Sequence, residues 1–294
     1  MVLVSVIWGI NFSVMKYALG TFPVFAFAGL RFLGATALLW GVLRATEGPA
    51  SVPRRQLLRL FGLGVLGNTL YQIGFMTGLS FTTATNSSVL IAFIPVLVAV
   101  LGGVLGIETP TPAGRWALAA GTIGVLMVVL EGNGGIHFGG PGTTGDLLTL
   151  GSAVCWALFT LGVRQAGAGL SPLRVTTLTT AAGMPGLLLL GLPDLLTMDW
   201  SAIPLRAWGA LLYASAVSIV VAYLLWNHSV RALGTNRTSL YACVTPVFAA
   251  AAAALLLGES LGPLQVAGGV LVVASVLLSR GTGVFRWPPG GVRR

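Results

Sequence analysis

The sequence predicts an all-α integral membrane protein of ten transmembrane helices, arranged as two inverted five-helix repeats around a central cavity. Three observations carry that prediction. Of the 294 residues 55% are hydrophobic and only 8% charged, with a mean hydropathy of +0.92; a typical soluble domain is roughly 25% charged, so too few charges remain to coat a water-facing globule. From Leu60 to Ile107 there is no Asp, Glu, Lys or Arg. A run of that length would measure about 70 Å as one helix, and a hydrocarbon core of about 30 Å makes it fold back as two spans. Finally, the chain reads twice: Trp8 with Lys16 returns as Trp156 with Arg164, and Thr85, Asn86, Pro95 and Glu108 return as Thr235, Asn236, Pro246 and Glu259, at offsets of 148 to 151. A repeat with an odd number of spans inserts upside down, and a ligand site then lies between the halves.

Breaking the chain at Gly, Pro and charge clusters places spans near 2–20, 23–44, 57–79, 83–106 and 112–130 in a first repeat, 1–130. The second repeat, 146–280, holds spans near 146–165, 172–191, 206–231, 235–257 and 261–280. The first span follows Met1 without a basic n-region or cleavage motif, so it is expected to be retained. The third and fourth are the two halves of the uncharged run. Pro95 and Pro246 fall near the middles of the fourth and ninth spans, where each removes a backbone hydrogen bond and is expected to kink its helix. Glu108 and Glu259 stand just before the fifth and tenth spans, where the next helix N-terminus favours negative charge, and are expected to act mainly as caps or structural anchors. The Gly-rich stretch 131–145 joins the repeats as a loop, and 281–294 forms a basic tail. Cys155 and Cys243 lie inside spans without ligand spacing and read as small packing residues.

The basic residues report topology. With the N-terminus inside, Arg44, Arg54, Arg55, Arg59, Arg115, Arg164, Arg174, Arg231, Arg237, Arg280, Arg286, Arg293 and Arg294 fall on the cytoplasmic side, and Lys16 and Arg206 outside. Both termini are therefore expected in the cytoplasm.

Polar and aromatic residues within the spans mark the candidate site. In the third, Gly64, Asn68, Tyr71, Gln72 and Phe75 share one helical face. Such a face is costly in lipid and lines either a water-filled cavity or a hydrogen-bonded helix contact. In the eighth, Tyr213, Val217, Val220, Tyr223 and Asn227 form a second stripe with His228 beside it, a lining suited to an amphipathic solute. Tyr213 and Trp226 also fit an interfacial belt, and His228 fits either a proton relay or a structural hydrogen bond. Trp8, Asn11 and Met15 share a face of the first span, and Trp156 has the matching depth in the sixth. The two indoles either sandwich a flat side chain or pack against small residues around Gly9 and Gly151. Arg31 is the one charge well inside a span; its guanidinium suits a carboxylate, with snorkelling or capping of a broken helix as the other reading. Pro95 and Pro246 are candidate hinges or static bends. Gly74/Gly78 and Gly102/Gly106 permit close helix contact, within a monomer or across a dimer.

Trp8-Gly9-x-Asn11 with Lys16, Pro95 through Glu108, and Pro246 through Gly258-Glu259 into Gln265-x-x-Gly268 resemble the paired signatures of the EamA-type drug/metabolite transporter superfamily. The resemblance covers essentially the whole chain and implies ten helices in two inverted repeats around a central cavity. It also implies kinship with bacterial exporters of amino acids and related metabolites. The first repeat departs from the pattern at Ile107, where the second has Gly258.

No Asp or Glu lies in the middle of a predicted span, which argues against a cation antiporter built on an intramembrane carboxylate. No HExxH, GxSxG or His/Cys cluster points to an enzyme, a metal or a cofactor. Nucleotide-sugar or phosphate carriers need several interior basic groups, and the interior offers Arg31. The expectation is a secondary transporter that exports small neutral or zwitterionic metabolites, chiefly large apolar or aromatic amino acids, across the bacterial inner membrane by alternating access. Its substrate-binding candidates are Trp8, Asn11, Arg31, Asn68, Tyr71, Gln72, Trp156, Tyr213, Tyr223, Asn227 and His228, with Pro95 and Pro246 as hinges. The expected partners are a small-molecule substrate and the bilayer; the net charge of +9 is assigned to topology, not nucleic acid. A monomer is expected, with a dimer as the second reading. Carriers of sugars or nucleosides and a non-transporting scaffold are the alternatives.

Overall fold

The computed structural model describes all residues except 50, 107–108, 111, 133–139, 234, 236–237, 239–240, 242–243, 281–284 and 287–294, so Glu108, Asn236, Arg237, Cys243, Arg293 and Arg294 lie outside the described residues. The chain is helical almost throughout. In order run α1 (Val2–Leu19), α2 (Val24–Thr46), α3 (Arg54–Gly64), a π-helical segment (Val65–Leu70), α4 (Tyr71–Phe81), α5 (Ala84–Ile91), α6 (Ile94–Val104) and α7 (Pro112–Gly132). Then come α8 (Pro141–Ala166), α9 (Pro172–Thr197), α10 (Leu205–Leu212), a second π-helical segment (Tyr213–Val221), α11 (Ala222–Leu233), α12 (Thr245–Leu257) and α13 (Pro263–Arg280). The only strand pairing among the described residues joins Thr109–Pro110 to Phe285–Arg286, at the start of the expected tail.

Among the described residues, six helical stretches are long and apolar enough to cross a membrane: Val2–Leu19, Val24–Thr46, Ala84–Val104, Pro141–Ala166, Pro172–Thr197 and Leu205–Leu233. Their surfaces agree. Leu189, Leu196, Leu205 and Leu255 are 70–86% exposed, while Asn68, Thr149, Thr176 and Thr180 are fully buried. An apolar exterior around a polar interior is the reverse of a water-soluble fold and is what lipid demands. Three buried hydroxyls of α9 are satisfied within their own helix: Thr176, Thr177 and Thr179 donate to the carbonyls of Pro172, Leu173 and Val175 at 2.7–2.8 Å.

Several boundaries differ from the sequence expectation. The linker 131–145 is shorter than predicted, because α8 starts at Pro141 with Gly140 in an extended N-cap conformation; proline is well suited to a first helical turn, where its missing N–H is no loss. The seventh span continues through Pro185 and Pro193 to Thr197. In the fourth, Pro95 does more than kink the helix. α5 ends at Ile91, four residues before the proline, and α6 restarts with Pro95 in its first turn. Proline removes its own donor and clashes with the carbonyl four residues back, so the break falls where that clash would. Pro246 occupies the same place in α12, after the N-cap residue Val244.

The halves pack by exchange. α2 lies along α9 and α7 along α13, while α1 packs on α12 as α6 packs on α8. The π segment Val65–Leu70 packs on α9 as the π segment Tyr213–Val221 packs on α2. Replacing each helix by its counterpart in the other half maps these pairs onto one another. Glycine allows the closest approaches. A Cβ on Gly78 would stand 2.5 Å from Thr149 Oγ1 and 2.8 Å from the Gly145 carbonyl, and one on Gly74 would stand 3.0 Å from the Leu148 carbonyl. The Gly74/Gly78 pair is thus used inside the chain, against α8. Gly78→Val is expected to lower stability by about 2 kcal/mol through overpacking, read as a fall in the thermal midpoint of the purified protein in detergent. A wild-type midpoint would show that α4 and α8 are not held together here. Gly9 packs similarly on Phe248 and Ala249, whereas Gly151 faces open space.

Candidate functional site

A cavity of about 50 Å³ lies at the centre of the bundle, lined by Trp8, Asn11, Phe12, Arg31, Tyr71, Gln72, Phe75, Ile91, Ala92, Ile94, Trp156, Ser218, Tyr223, Trp226 and Thr245. Each part of its wall follows from a local feature. α1 contributes Trp8, Asn11 and Phe12 from one face. α4 contributes Tyr71, Gln72 and Phe75, all beyond the π segment that ends at Leu70. Ile91, Ala92 and Ile94 come from the break between α5 and α6, and Thr245 from the first residue of α12.

The wall is mainly aromatic, and Trp156 joins it together. Its ring centroid is 5.0 Å from that of Tyr71, 5.2 Å from Tyr223, 5.8 Å from Trp226 and 5.9 Å from Trp8. Trp8 meets Trp226 at 5.1 Å and Tyr223 edge-on at 6.1 Å, and its indole N–H donates to the Ser218 carbonyl at 3.1 Å. These separations lie in the range where aromatic pairs attract beyond their buried area.

Arg31 is the one charge in this wall among the described residues, and it is 2% exposed. It does not snorkel. Its Nε donates to the Ala214 carbonyl at 3.3 Å, within the second π segment, and its Nη1 reaches Met15 Sδ at 3.0 Å, Gln72 Oε1 at 3.4 Å and Met76 Sδ at 3.7 Å. Thioethers are weak acceptors, and no carboxylate meets the guanidinium among the described residues. Three neutral polar atoms of the lining, Asn11 Oδ1, Trp226 Nε1 and Thr245 Oγ1, are buried without a hydrogen-bond partner. Buried polar groups are normally satisfied; a cavity that leaves such atoms and a buried cation without good partners is built for a ligand or for water.

Seven of the eleven sequence candidates therefore meet in one cavity: Trp8, Asn11, Arg31, Tyr71, Gln72, Trp156 and Tyr223. The other four lie elsewhere. Asn68 is fully buried against α9, donating to the Thr179 carbonyl at 2.9 Å. Tyr213 donates to the Ile7 carbonyl at 2.9 Å and is a helix tie. Asn227 donates to Thr176 Oγ1 at 2.8 Å and lines a separate cavity of about 250 Å³ with Arg164 and Arg231. His228 is exposed, outside the central wall. For Asn68 the cause is the π-helical geometry of its own segment. An i→i+5 turn inserts a residue into the helical wheel, so Asn68 and Gly64 turn onto α9 while Tyr71, Gln72 and Phe75 face the cavity, and Ser218 takes the place that ordinary periodicity gives Val217. Trp226, which also fitted an interfacial belt, is 1% exposed and part of the wall.

Polar fastenings gather at one end of the bundle, around residues 79–86. Lys16 Nζ donates to the carbonyls of Leu79, Ser80 and Thr82 at 2.8, 3.3 and 2.6 Å, closing the C-terminal end of α4. Asp146 Oδ1 accepts from Thr82 Oγ1 at 2.9 Å. Glu259 is the cap and anchor that the sequence suggested, but for α5 and not for the helix that follows it. Gly258, with φ 68°, ends α12 in a left-handed turn, and Glu259 accepts from the backbone N–H groups of Ala84 and Thr85 and from the Thr85 hydroxyl, at 3.0, 3.2 and 2.7 Å. It thus caps α5, while α13 is closed by Gln265 Oε1 accepting from the Gly262 N–H at 3.1 Å. Glu259→Ala is expected to cost about 1–2 kcal/mol as an N-cap and dipole partner, with Glu259→Gln intermediate. Equal thermal midpoints for the three proteins would remove the cap.

Comparison with known proteins places this geometry. The EamA-like transporter family matches residues 1–130 and 143–281. An uncharacterized transporter, YyaM, of Bacillus subtilis is 30% identical over 97% of this chain and 92% of its own length. A probable amino-acid metabolite efflux pump of Salmonella typhimurium is 29% identical over 94% of the chain and 92% of its own. A probable terminal-alkyne amino-acid exporter of Streptantibioticus cattleyicolor is 26% identical, over 95% and 91%. One solved crystal structure, 18% identical, shares the fold with a TM-score of 0.65 over 95% of this chain and 94% of that one. The family match spans nearly the full length in two stretches that divide the helices as the sequence repeat does, and the chain belongs to the EamA-like transporter family as a multi-pass membrane protein.

Proposed function

We propose that this protein is a secondary carrier that exports small neutral or zwitterionic metabolites, large apolar or aromatic amino acids foremost, across the bacterial inner membrane. The observation that carries the reading is the central cavity, where rings from α1, α4, α8 and α11 surround a buried guanidinium. An apolar pocket with a few convergent polar groups is how small solutes are held, and an arginine fork suits a carboxylate. Relatives named as amino-acid exporters support the solute class and the direction.

In this reading ten spans form two inverted five-helix repeats, supported by the exchange packing and the positive-inside count, with both termini in the cytoplasm. The breaks before Pro95 and Pro246 border the cavity through Ile94 and Thr245; they serve as hinges for hairpins that rock to open the site to alternate sides. At about 50 Å³ the cavity holds a few waters, so a solute requires that movement. Counterflow in proteoliposomes tests the function. Labelled phenylalanine or methionine is expected to exchange with saturation, and Tyr71→Ala and Tyr223→Ala to lower that exchange at least about tenfold while leaving a cooperative melt. Exchange of sugars or nucleosides in place of amino acids would overturn the substrate class, and linear, unsaturable flux would point to a channel.

A further inference from the structure

We propose that the group this cavity recognises is a single carboxylate, and that its preferred solutes are aromatic monocarboxylates lacking a charged amine. The inference rests on the carrier reading above and replaces its zwitterionic solutes with monoanions. It follows from the charges around the cavity. Arg31 supplies a permanent positive charge in the wall. The helix α12 also begins at the cavity with Thr245, and a helix N-terminus carries the equivalent of about half a positive charge, whereas the N-terminus of α6 at Ile94 is offset by the C-terminus of α5 at Ile91. No carboxylate answers them among the described residues. Asp146 is engaged with Thr82, Glu259 with Ala84 and Thr85, Glu47 with Arg174 and Asp199 with Ser201.

A monoanion entering this field pairs with Arg31 and leaves a nearly neutral complex. A zwitterion brings the same carboxylate together with an ammonium that finds no anion, and stripping water from an unpaired charge is among the most costly steps in binding. Cation–π contact with the indoles offsets part of that cost. The rings engaged that way are then withdrawn from the solute's own aromatic group, and Arg31 repels the ammonium across a small cavity. Of the unpaired atoms, Trp226 Nε1 can donate to a hydroxyl or keto oxygen beside the carboxylate, Asn11 Oδ1 can accept from a hydroxyl, and Thr245 Oγ1 can do either; none supplies charge.

The test compares phenyllactate with phenylalanine, which differ in having a hydroxyl where the other has an ammonium. With purified wild-type protein in detergent, phenyllactate is expected to raise the thermal midpoint half-maximally at a concentration at least about tenfold lower than phenylalanine, about 1.4 kcal/mol in binding. Phenylalaninamide, which keeps the ammonium and lacks the carboxylate, is expected to give no shift. The phenyllactate shift is expected to vanish in Arg31→Met, provided that variant still melts cooperatively. Equal or tighter binding of phenylalanine overturns the inference and leaves the amino-acid carrier standing. A phenyllactate shift that survives in Arg31→Met overturns it too, because the ligand then sits elsewhere. No shift with either ligand also overturns it, and counterflow of labelled phenylalanine then decides separately whether the carrier reading falls.

Discussion

Arg31→Met is expected to abolish saturable transport and, at the same time, to make the protein more stable. The two effects have one cause. Arg31 is buried with a backbone carbonyl, a glutamine oxygen and two thioethers as its acceptors. Holding arginine at the centre of a transmembrane helix costs about 3 kcal/mol on insertion scales. Bonds from a charged donor usually return about 1.5–3 kcal/mol each, but here the two to oxygen are long, at 3.3 and 3.4 Å, and the other two go to weakly accepting thioethers, so each returns about 1 kcal/mol or less. Methionine is unbranched and adaptable enough to fill the space beside Met15 and Met76, and it leaves Gln72 Oε1 short of one donor. The balance is a gain of about 1–2 kcal/mol, seen as a higher thermal midpoint. Loss of a charge-assisted contact to a substrate carboxylate costs about 3 kcal/mol, or more than a hundredfold in exchange at subsaturating solute. A lower midpoint together with lost transport would make Arg31 a structural group. Unchanged transport would remove it from the site.

How much of this architecture the sequence reveals depends on whether a feature is written in residue types or in backbone geometry. Pro95 and Pro246, the paired Trp8 and Trp156 and the buried Arg31 are conspicuous residues, and their positions in the structure follow from rules about proline, indole and charge. The π-helical segments have no comparable residue signature. Val65–Leu70 and Tyr213–Val221 look like ordinary apolar helix, yet each shifts the register of everything after it. That shift is why Asn68, placed on the cavity face by 3.6-residue periodicity, bonds instead to Thr179, and why Ser218 lines the wall; Asn227 keeps the register of Tyr223 but lies one turn further along α11, where Thr176 is its partner. Glu259 is legible as a cap or anchor, but the helix it caps is not. Local sequence offers it the next helix, and only the tertiary fold brings the N-terminus of α5 within reach.

Trp156→Ala is expected to be the most destabilising change in the cavity, because this indole is the meeting point of rings on four helices. It is 3% exposed and lies 5.0–5.9 Å from Tyr71 on α4, Phe159 on its own helix, Tyr223 and Trp226 on α11 and Trp8 on α1. Truncating a buried tryptophan typically costs about 3–5 kcal/mol. The loss has two parts with different consequences. The void joins the existing cavity, so free indole is expected to bind there and recover part of the thermal midpoint, as apolar ligands fill engineered cavities. The edge-to-face and tilted ring contacts, worth about 0.5–1.5 kcal/mol per pair, disappear with the indole's attachment to α8, so free indole does not restore transport even where it restores stability. Trp156→Phe keeps a ring at the centre and is expected to cost less than half as much while raising the half-saturation concentration for aromatic solutes. If Trp156→Ala melts and transports as the wild type does, the aromatic wall is not a unit, and the two halves of the bundle are coupled by something other than the rings between them.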